Sequence, residues 1–205
     1  MHVRIARFEG ATAEQAEIGR RLAREEFLPQ MQQMTGYAGA GILADAGAGT
    51  ALNLVFFDTE EALGNGDREL NSMTPPDEFS GIRRTSVEQY EVAFREIGGG
   101  PAAARVTLLS APVDRIDEHI RTAKDEILPR ASALDGWQGV ILGVDRTTGD
   151  GIIVTLWEST EALQASEGAT NKLRQETADA TGGTIVSVER FEVVLLEVPV
   201  RAGIS

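Results

Sequence analysis

Cysteine is absent from the 205 residues, which excludes disulfides, thiolate metal ligands and cysteine nucleophiles together. Lysine is scarce, since seventeen of the nineteen basic residues are arginine. No run of about 18 apolar residues occurs, so no segment is predicted to span a membrane. The chain opens with the strand-like alternation of residues 3–8 rather than with a signal peptide. These absences predict a cytoplasmic protein without a membrane partner.

The charge balance is strongly acidic, with 32 acidic residues against 19 basic ones and a formal net charge of −13. Nucleic-acid binding relies on clustered Lys and Arg that neutralise phosphates, so this balance predicts no nucleic-acid partner. The simplest meaning of the charge is solubility. The acidic pairs Glu25-Glu26 and Asp125-Glu126 are adjacent on predicted helices and point about 100° apart, which indicates a solvated face and no metal site.

A unit of about one hundred residues is written twice in this chain. Residues 23–63 laid over 123–163 without gaps give eleven identities in 41 positions. A period of this size indicates a duplicated domain, because solenoid repeats run only roughly 20–50 residues. The clearest echoes are Leu28-Pro29 with Leu128-Pro129, Gly36-Tyr37-x-Gly39 with Gly136-Trp137-x-Gly139, and Glu61-Ala62-Leu63 with Glu161-Ala162-Leu163.

The repeat predicts two domains and a short connection. We place the first repeat at 1–97, a Gly/Pro linker at 98–103 and the second repeat at 104–205. Gly98-Gly99-Gly100-Pro101 is flexible and then stiff, and it is too short to hold the halves far apart.

Each half has the pattern strand, helix, strand, strand, helix, strand. Thr12-x-x-Gln15 resembles a capping box that opens a helix over 13–34. Alternating apolar residues and Gly-rich turns predict the strands. They are expected at 2–8, 37–44, 50–57, 85–94, 104–110, 137–144, 152–158 and 184–197.

This order of elements predicts an α+β fold. A four-stranded antiparallel sheet with both helices on one face leaves its other face without cover. Two such ferredoxin-like βαββαβ repeats can cover each other by packing their sheets as a closed barrel. We therefore expect an intrachain pseudo-dimer. A further homodimer through the outer faces stays open.

The repeated segments resemble the dimeric α+β barrel superfamily, and within it the antibiotic biosynthesis monooxygenase (ABM)-like domain. The resemblance is carried by the spacing of Leu28-Pro29 to Gly36-Tyr37 and by the strand-to-helix segment 156–163. It implies oxidation of aromatic polyketides without metal or flavin, because the substrate itself supplies the electrons. It also implies no cofactor, and a pocket between sheet and helices with an asparagine and a tryptophan on the third strand.

Each half of this chain keeps one member of that pair. The first has Asn53 and Phe57, whereas the second has Ile153 and Trp157. A spacing of four puts each pair on one face of its strand. Asn53 could donate a hydrogen bond to a phenol or enolate oxygen, and Phe57 and Trp157 could wall a pocket for an aromatic ligand. The alternatives are an asparagine satisfied by a neighbour and a core tryptophan.

Other candidates follow from comparing the two halves. Tyr37 and Trp137 match, which favours a shared structural role over ligand binding. Tyr90 matches Phe191, so its hydroxyl is a candidate donor in the first half only. The first-strand arginines 4 and 105 could face an anionic ligand, although a surface position at a sheet edge is the favoured interpretation.

Histidine is nearly absent, which bears on haem chemistry. Haem-degrading members of the superfamily bind iron through a histidine on the second helix, and neither second helix of this chain has one. Of the two histidines, His2 is terminal and His119 is expected at the boundary of an apolar helix stripe.

Three functional hypotheses remain from the sequence. The first is a cofactor-independent monooxygenase acting on a small apolar or aromatic compound, with Asn53 and Tyr90 polarising its oxygen. The second is a non-catalytic small-molecule-binding module. The third is a structural tandem barrel.

Overall fold

A computed structural model describes residues 1–198, and it has the α+β class that the repeat predicted. Within these residues the strands fall where the alternating patterns placed them, to within a few residues at each end. They are β1 His2–Glu9, β2 Tyr37–Asp45, β3 Thr50–Phe57, β4 Arg83–Ile97, β5 Ala103–Ser110, β6 Trp137–Val144, β7 Asp150–Trp157 and β8 Thr184–Glu197.

The helices lie after β1, β3, β5 and β7, as the repeated pattern requires. Across residues 1–198 none is long and apolar enough to cross a membrane. They are α1 Ala13–Leu22, α2 Leu28–Met31, α3 Glu60–Ser72, α4 Ile116–Thr122, α5 Leu128–Ala131, α6 Thr160–Ala165 and α7 Glu167–Thr181.

The first helix of each repeat is interrupted by a wide π-helical turn before its proline. The predicted capping box at Thr12 and Gln15 is confirmed in both directions. The π turns cover Ala23–Phe27 and Ala123–Ile127, and each is followed directly by the leucine that precedes the proline. Proline lacks an N–H and crowds the carbonyl four residues earlier, so a locally widened helix accommodates it. This explains why Leu-Pro occurs in both repeats.

The strands form a closed antiparallel barrel in the order β1-β3-β2-β8-β5-β7-β6-β4. The prediction of an intrachain α+β barrel built from two βαββαβ repeats is confirmed. The helices follow the first and the third strand of each repeat. They are α1, α2 and α3 in the first repeat and α4, α5, α6 and α7 in the second.

The chain divides into two compact units, which we call the first unit and the second unit. The first unit comprises residues 1–89 with 192–198, and the second comprises residues 90–191. The division falls inside the two long strands β4 and β8 rather than at the predicted linker. The boundaries 1–97, 98–103 and 104–205 describe the repeat in the sequence and stay a prediction.

Each unit is completed by the far end of a strand that begins in the other. In the first unit β3 lies between β1 and β2, and the end of β8 pairs with β2 from Glu192 to Glu197. In the second unit β7 lies between β5 and β6, and the end of β4 pairs with β6 from Glu91 to Ile97. The two units therefore have the same four-stranded arrangement.

The repeated glycines mark places where backbone passes close to another element. A Cβ on Gly136 would lie 2.5 Å from the Cβ of Ala162, which brings the Gly-Trp and Glu-Ala-Leu motifs together. Gly139 has φ 143°, and a Cβ there would lie 2.2 Å from the carbonyl oxygen of Glu96. Gly36 and Gly39 repeat both arrangements in the first unit. The motifs shared by the two repeats thus build the scaffold.

Candidate functional site

The helix-facing side of the first unit is mostly filled by hydrophobic side chains. Phe57 is fully buried and packs with Met31 and Leu63 from the neighbouring helices and with Met34 from the turn after α2. Tyr37 packs against the same cluster. Burial, and then the negative charge of Glu197, raise the pKa of Tyr37 to about 12, so this phenol stays protonated at physiological pH.

The corresponding part of the second unit is a tryptophan pair. Trp157 is 0% exposed, and its ring meets that of Trp137 edge-on with centroids 5.5 Å apart. The Trp157 indole N–H donates to Thr155 Oγ1 at 3.1 Å. The guanidinium of Arg105 lies over the same ring at 5.5 Å. The predicted aromatic wall is therefore a packed and hydrogen-bonded part of the structure.

Asn53 and Tyr90 fall in different compact units. Asn53 is half-buried on the helix-facing side of β3, in register with Ala6 and Ile42. Tyr90 is buried as the first residue of the second unit. A Cβ added to Gly143 of β6 would lie 2.9 Å from the Cβ of Tyr90, so the two residues are close neighbours. The roles proposed for Asn53 and Tyr90 stay predictions.

A cavity of about 40 Å³ lies in the second unit between the sheet and the helices. Ile153, the counterpart of Asn53, contributes to its wall from β7. The polar side chains at the wall are those of His119 and Thr177. Most of the lining is aliphatic, from Leu109, Ile116, Ile120 and Leu142 among others. This is the pocket position that the family resemblance implied, with isoleucine in place of asparagine.

His119 is held at this cavity by the end of α7. Its Nε2 lies 3.1 Å from the carbonyl oxygen of Thr181, and Thr181 Oγ1 lies 3.0 Å from its Nδ1. A carbonyl only accepts, so Nε2 carries the proton and donates. Burial lowers the pKa of His119 despite the opposing effect of the hydrogen bond to Thr181. The folded protein therefore favours the neutral ring more strongly than the unfolded chain does.

This preference predicts a pH dependence of stability. A folded-state pKa below the ordinary value of about 6.5 means that the unfolded chain binds the proton first as pH falls. We expect the stabilising contribution of His119 to be complete above about pH 7 and to decrease toward pH 5. Urea unfolding of the native protein and of His119→Gln at pH 7.5, 6.5 and 5.5 measures it. A difference between the two proteins that does not change with pH would contradict the assignment.

The first-strand arginines were predicted at the surface, and that expectation is wrong. Arg4 and Arg105 are both buried, and each extends to the helix that follows the third strand of its repeat. Arg4 bonds Asp67 and Arg105 bonds Glu167, so the same ion pair occurs in both repeats. Asp67 lies 63 residues after Arg4, and Glu167 lies 62 residues after Arg105, so neither pairing is visible as a local pattern. The sequence does show that the two acidic residues are one hundred positions apart.

In the part of the chain that the structure describes, no group of three or more His, Asp or Glu side chains converges. The second helices α3, α6 and α7 contain no histidine that could ligate haem.

Comparison with known proteins supports the fold. No family model matches the sequence. The uncharacterized protein Rv2557 of Mycobacterium tuberculosis (strain H37Rv) is 29% identical over 201 residues, which cover 92% of this chain and 87% of that protein.

Two solved structures show the same architecture across almost the whole chain. An anthrone oxidase-like protein superposes with a TM-score of 0.59 at 16% identity, covering 97% of this chain and 91% of that one. An uncharacterized ferredoxin-fold protein from Listeria monocytogenes related to antibiotic biosynthesis monooxygenases gives 0.54 at 10% identity, covering 93% and 94%. This chain therefore has the ferredoxin-like α+β barrel fold of the antibiotic biosynthesis monooxygenase-like proteins, in tandem form.

Proposed function

We propose that this protein binds a small apolar compound in the cavity of its second unit. The observation that supports the proposal is the cavity itself, which opens between sheet and helices where the monooxygenase-like fold is expected to hold its ligand. Ile153 and the aliphatic side chains around it would contact the ligand. Apolar contact of this kind is what most small-molecule pockets use for affinity.

The polar groups at the cavity favour an apolar ligand as well. His119 is already bonded to Thr181, and Thr177 Oγ1 donates to the Leu173 carbonyl at 2.8 Å. When a ligand without polar atoms binds, both groups keep the hydrogen bonds that they already make within the protein. The volume of about 40 Å³ is far below the roughly 300 Å³ of a pocket for a drug-sized ligand. The ligand is accordingly small, or the aliphatic wall repacks around it.

Filling the cavity should abolish binding. We expect Ile153→Phe to remove the rise in melting temperature that a small aromatic hydrocarbon causes in the native protein, because the added ring occupies the ligand volume. Asn53→Phe makes the matching change in the first unit and should leave that rise intact. Thermal-shift titration with toluene and with naphthalene measures both. Equal shifts for the native protein and Ile153→Phe would rule out this cavity.

A second candidate function is cofactor-independent oxygenation at Asn53. It is supported by the position of Asn53, half-buried on the helix-facing side of β3, where its amide could donate to a developing oxyanion. The likeness to an anthrone oxidase-like protein agrees with it at the level of the fold.

Oxygen uptake separates the two candidates. With an anthrone as the test compound, oxygenation at Asn53 requires uptake that is lost in Asn53→Ile, the residue of the second repeat, and retained in Ile153→Phe. Binding without catalysis requires no uptake by any of these proteins.

A further inference from the structure

We propose that the second unit binds a small oxyanion, a carboxylate or a phosphate, at three arginines gathered around Glu167. The site goes beyond the apolar cavity and does not depend on it. The three residues are Arg105 on β5, Arg174 on α7 and Arg190 on β8. We call them the arginine cluster.

All three guanidinium groups form an ion pair with the same carboxylate, that of Glu167. Arg105 Nη2 lies 3.0 Å from Glu167 Oε2, and Arg174 Nη2 lies 3.3 Å from Oε1. Arg190 Nη2 lies 2.7 Å from Oε1, and its Nε also donates to Oε2 at 3.3 Å. Three cations against one carboxylate leave an excess of two positive charges. That excess is notable in a chain whose net charge is −13.

The first unit contains the same ion pair without the excess. Arg4 Nε donates to Asp67 at 2.6 Å and its Nη2 to Asn71 at 3.0 Å, so one arginine has a carboxylate and an amide. Asp67 and Asn71 lie one hundred positions before Glu167 and Asn171. The counterparts of Arg174 and Arg190 in the first repeat are Thr74 and Gln89. The two additional arginines are therefore specific to the second repeat, and the first unit has the same four-stranded arrangement without them.

The additional arginines also change the bonding of Arg105. In the first unit Asn71 Oδ1 accepts from Arg4, whereas the matching Asn171 Oδ1 accepts from Arg174 and not from Arg105. Nε and Nη1 of Arg105 are buried and have no acceptor among the described residues. The Arg105 side chain is 1% exposed, so these donors are withdrawn from water as well. Buried donors without acceptors cost free energy that an anion can recover.

Two of the three side chains of the arginine cluster are partly exposed to solvent. The side chain of Arg190 is 48% exposed and that of Arg174 is 12% exposed, so an arriving anion meets these two first. Burial lowers the pKa of both Arg105 and Arg174, and the neighbouring guanidinium charges add to the effect. A guanidinium remains charged in proteins, so the strain is relieved by an added negative charge rather than by loss of a proton. Planar guanidinium groups favour carboxylate and phosphate oxygens in particular.

The test replaces the two additional arginines with the residues of the first repeat. Arg174→Thr and Arg190→Gln are combined in one variant, and Arg121→Gln serves as the control because it removes one exposed positive charge from the same unit. Binding of inorganic phosphate and of benzoate is measured by calorimetry, with sodium chloride used to hold the ionic strength constant.

We expect the native protein and Arg121→Gln to bind at least one of the two anions equally well. The double variant should bind it at least about tenfold more weakly, because hydrogen bonds to a charged group are lost. Binding of phosphate alone assigns a phosphate ligand, and binding of benzoate alone assigns an organic acid. Unchanged affinity in the double variant, or no binding of either anion by the native protein, overturns the proposal.

The stability of the double variant without an anion gives an independent readout. If the two arginines serve a ligand, their removal should leave the melting temperature unchanged or raise it, because the repulsion around Arg105 decreases. A large fall in the melting temperature would show that they are structural, and it would also overturn the proposal.

Discussion

Replacing Gly139 with alanine is expected to destabilise the protein by about 3 kcal/mol or more. The new Cβ would lie 2.2 Å from the Glu96 carbonyl oxygen and 2.9 Å from Ile97 Cα, which are backbone atoms of the paired strand β4. Neither atom can move without breaking the pairing of β6 with β4. The backbone φ of 143° adds to the loss of stability, because an alanine residue rarely adopts that backbone conformation. Chemical denaturation of the purified variant measures the loss.

The chain offers a matched control for this substitution. Gly99 has no atom within 4 Å of an added Cβ, so Gly99→Ala is expected to change stability by less than about 1 kcal/mol. Gly39→Ala in the first unit should resemble Gly139→Ala, with a smaller effect because its Cβ would lie 2.6 Å from Glu197 O. Equal stabilities for the Gly139 and Gly99 variants would show that β6 and β4 do not approach each other so closely.

The second large effect is expected at Arg4. Arg4→Met should cost about 3 kcal/mol, because it leaves the Asp67 carboxylate and the Asn71 amide oxygen without their donor. Arg105→Met should cost about 2 kcal/mol less than that, since Glu167 keeps its bonds to Arg174 and Arg190. The free energies of unfolding of the two variants, measured by urea titration, give the comparison.

A double variant checks the reason for this difference. Arg4→Met combined with Asp67→Leu removes both charges, so it should recover a large part of the stability lost in Arg4→Met alone. A double variant that is no more stable than Arg4→Met would mean that the arginine acts through packing rather than through its charge.

The architecture was readable from the sequence because it depends on backbone features that leave local signals. The offset of one hundred residues, the Leu-Pro and Gly-x-x-Gly spacings and the alternating strands all reflect local geometry. Gly139 illustrates this, since only a residue without a side chain fits against Glu96. A glycine that is required in this way can be recognised in the sequence because it occurs at the same position of both repeats, as Gly39 and Gly139 do.

The candidate site was less predictable because side-chain partners lie far apart in the sequence. Arg4 and Arg105 look like surface residues until Asp67 and Glu167 are brought to them by the helices. His119 was expected at a boundary, and the structure adds that Thr181, 62 residues away, fixes its ring at the cavity. The environment of Trp157 was undecided for the same reason. Alternation assigns a face to a strand residue but does not say whether that face holds a cavity or packed core.

The end of β4 pairs with β6 of the second repeat, and the end of β8 pairs with β2 of the first, which affects whether one repeat can fold alone. Cutting the chain between 98 and 103 would give a first fragment that carries the end of β4 but lacks the β6 strand it pairs with. The same fragment would expose β2, because the end of β8 would be in the other piece. We therefore expect that neither repeat folds as an autonomous domain. Separated halves should reassociate with each other or with copies of themselves.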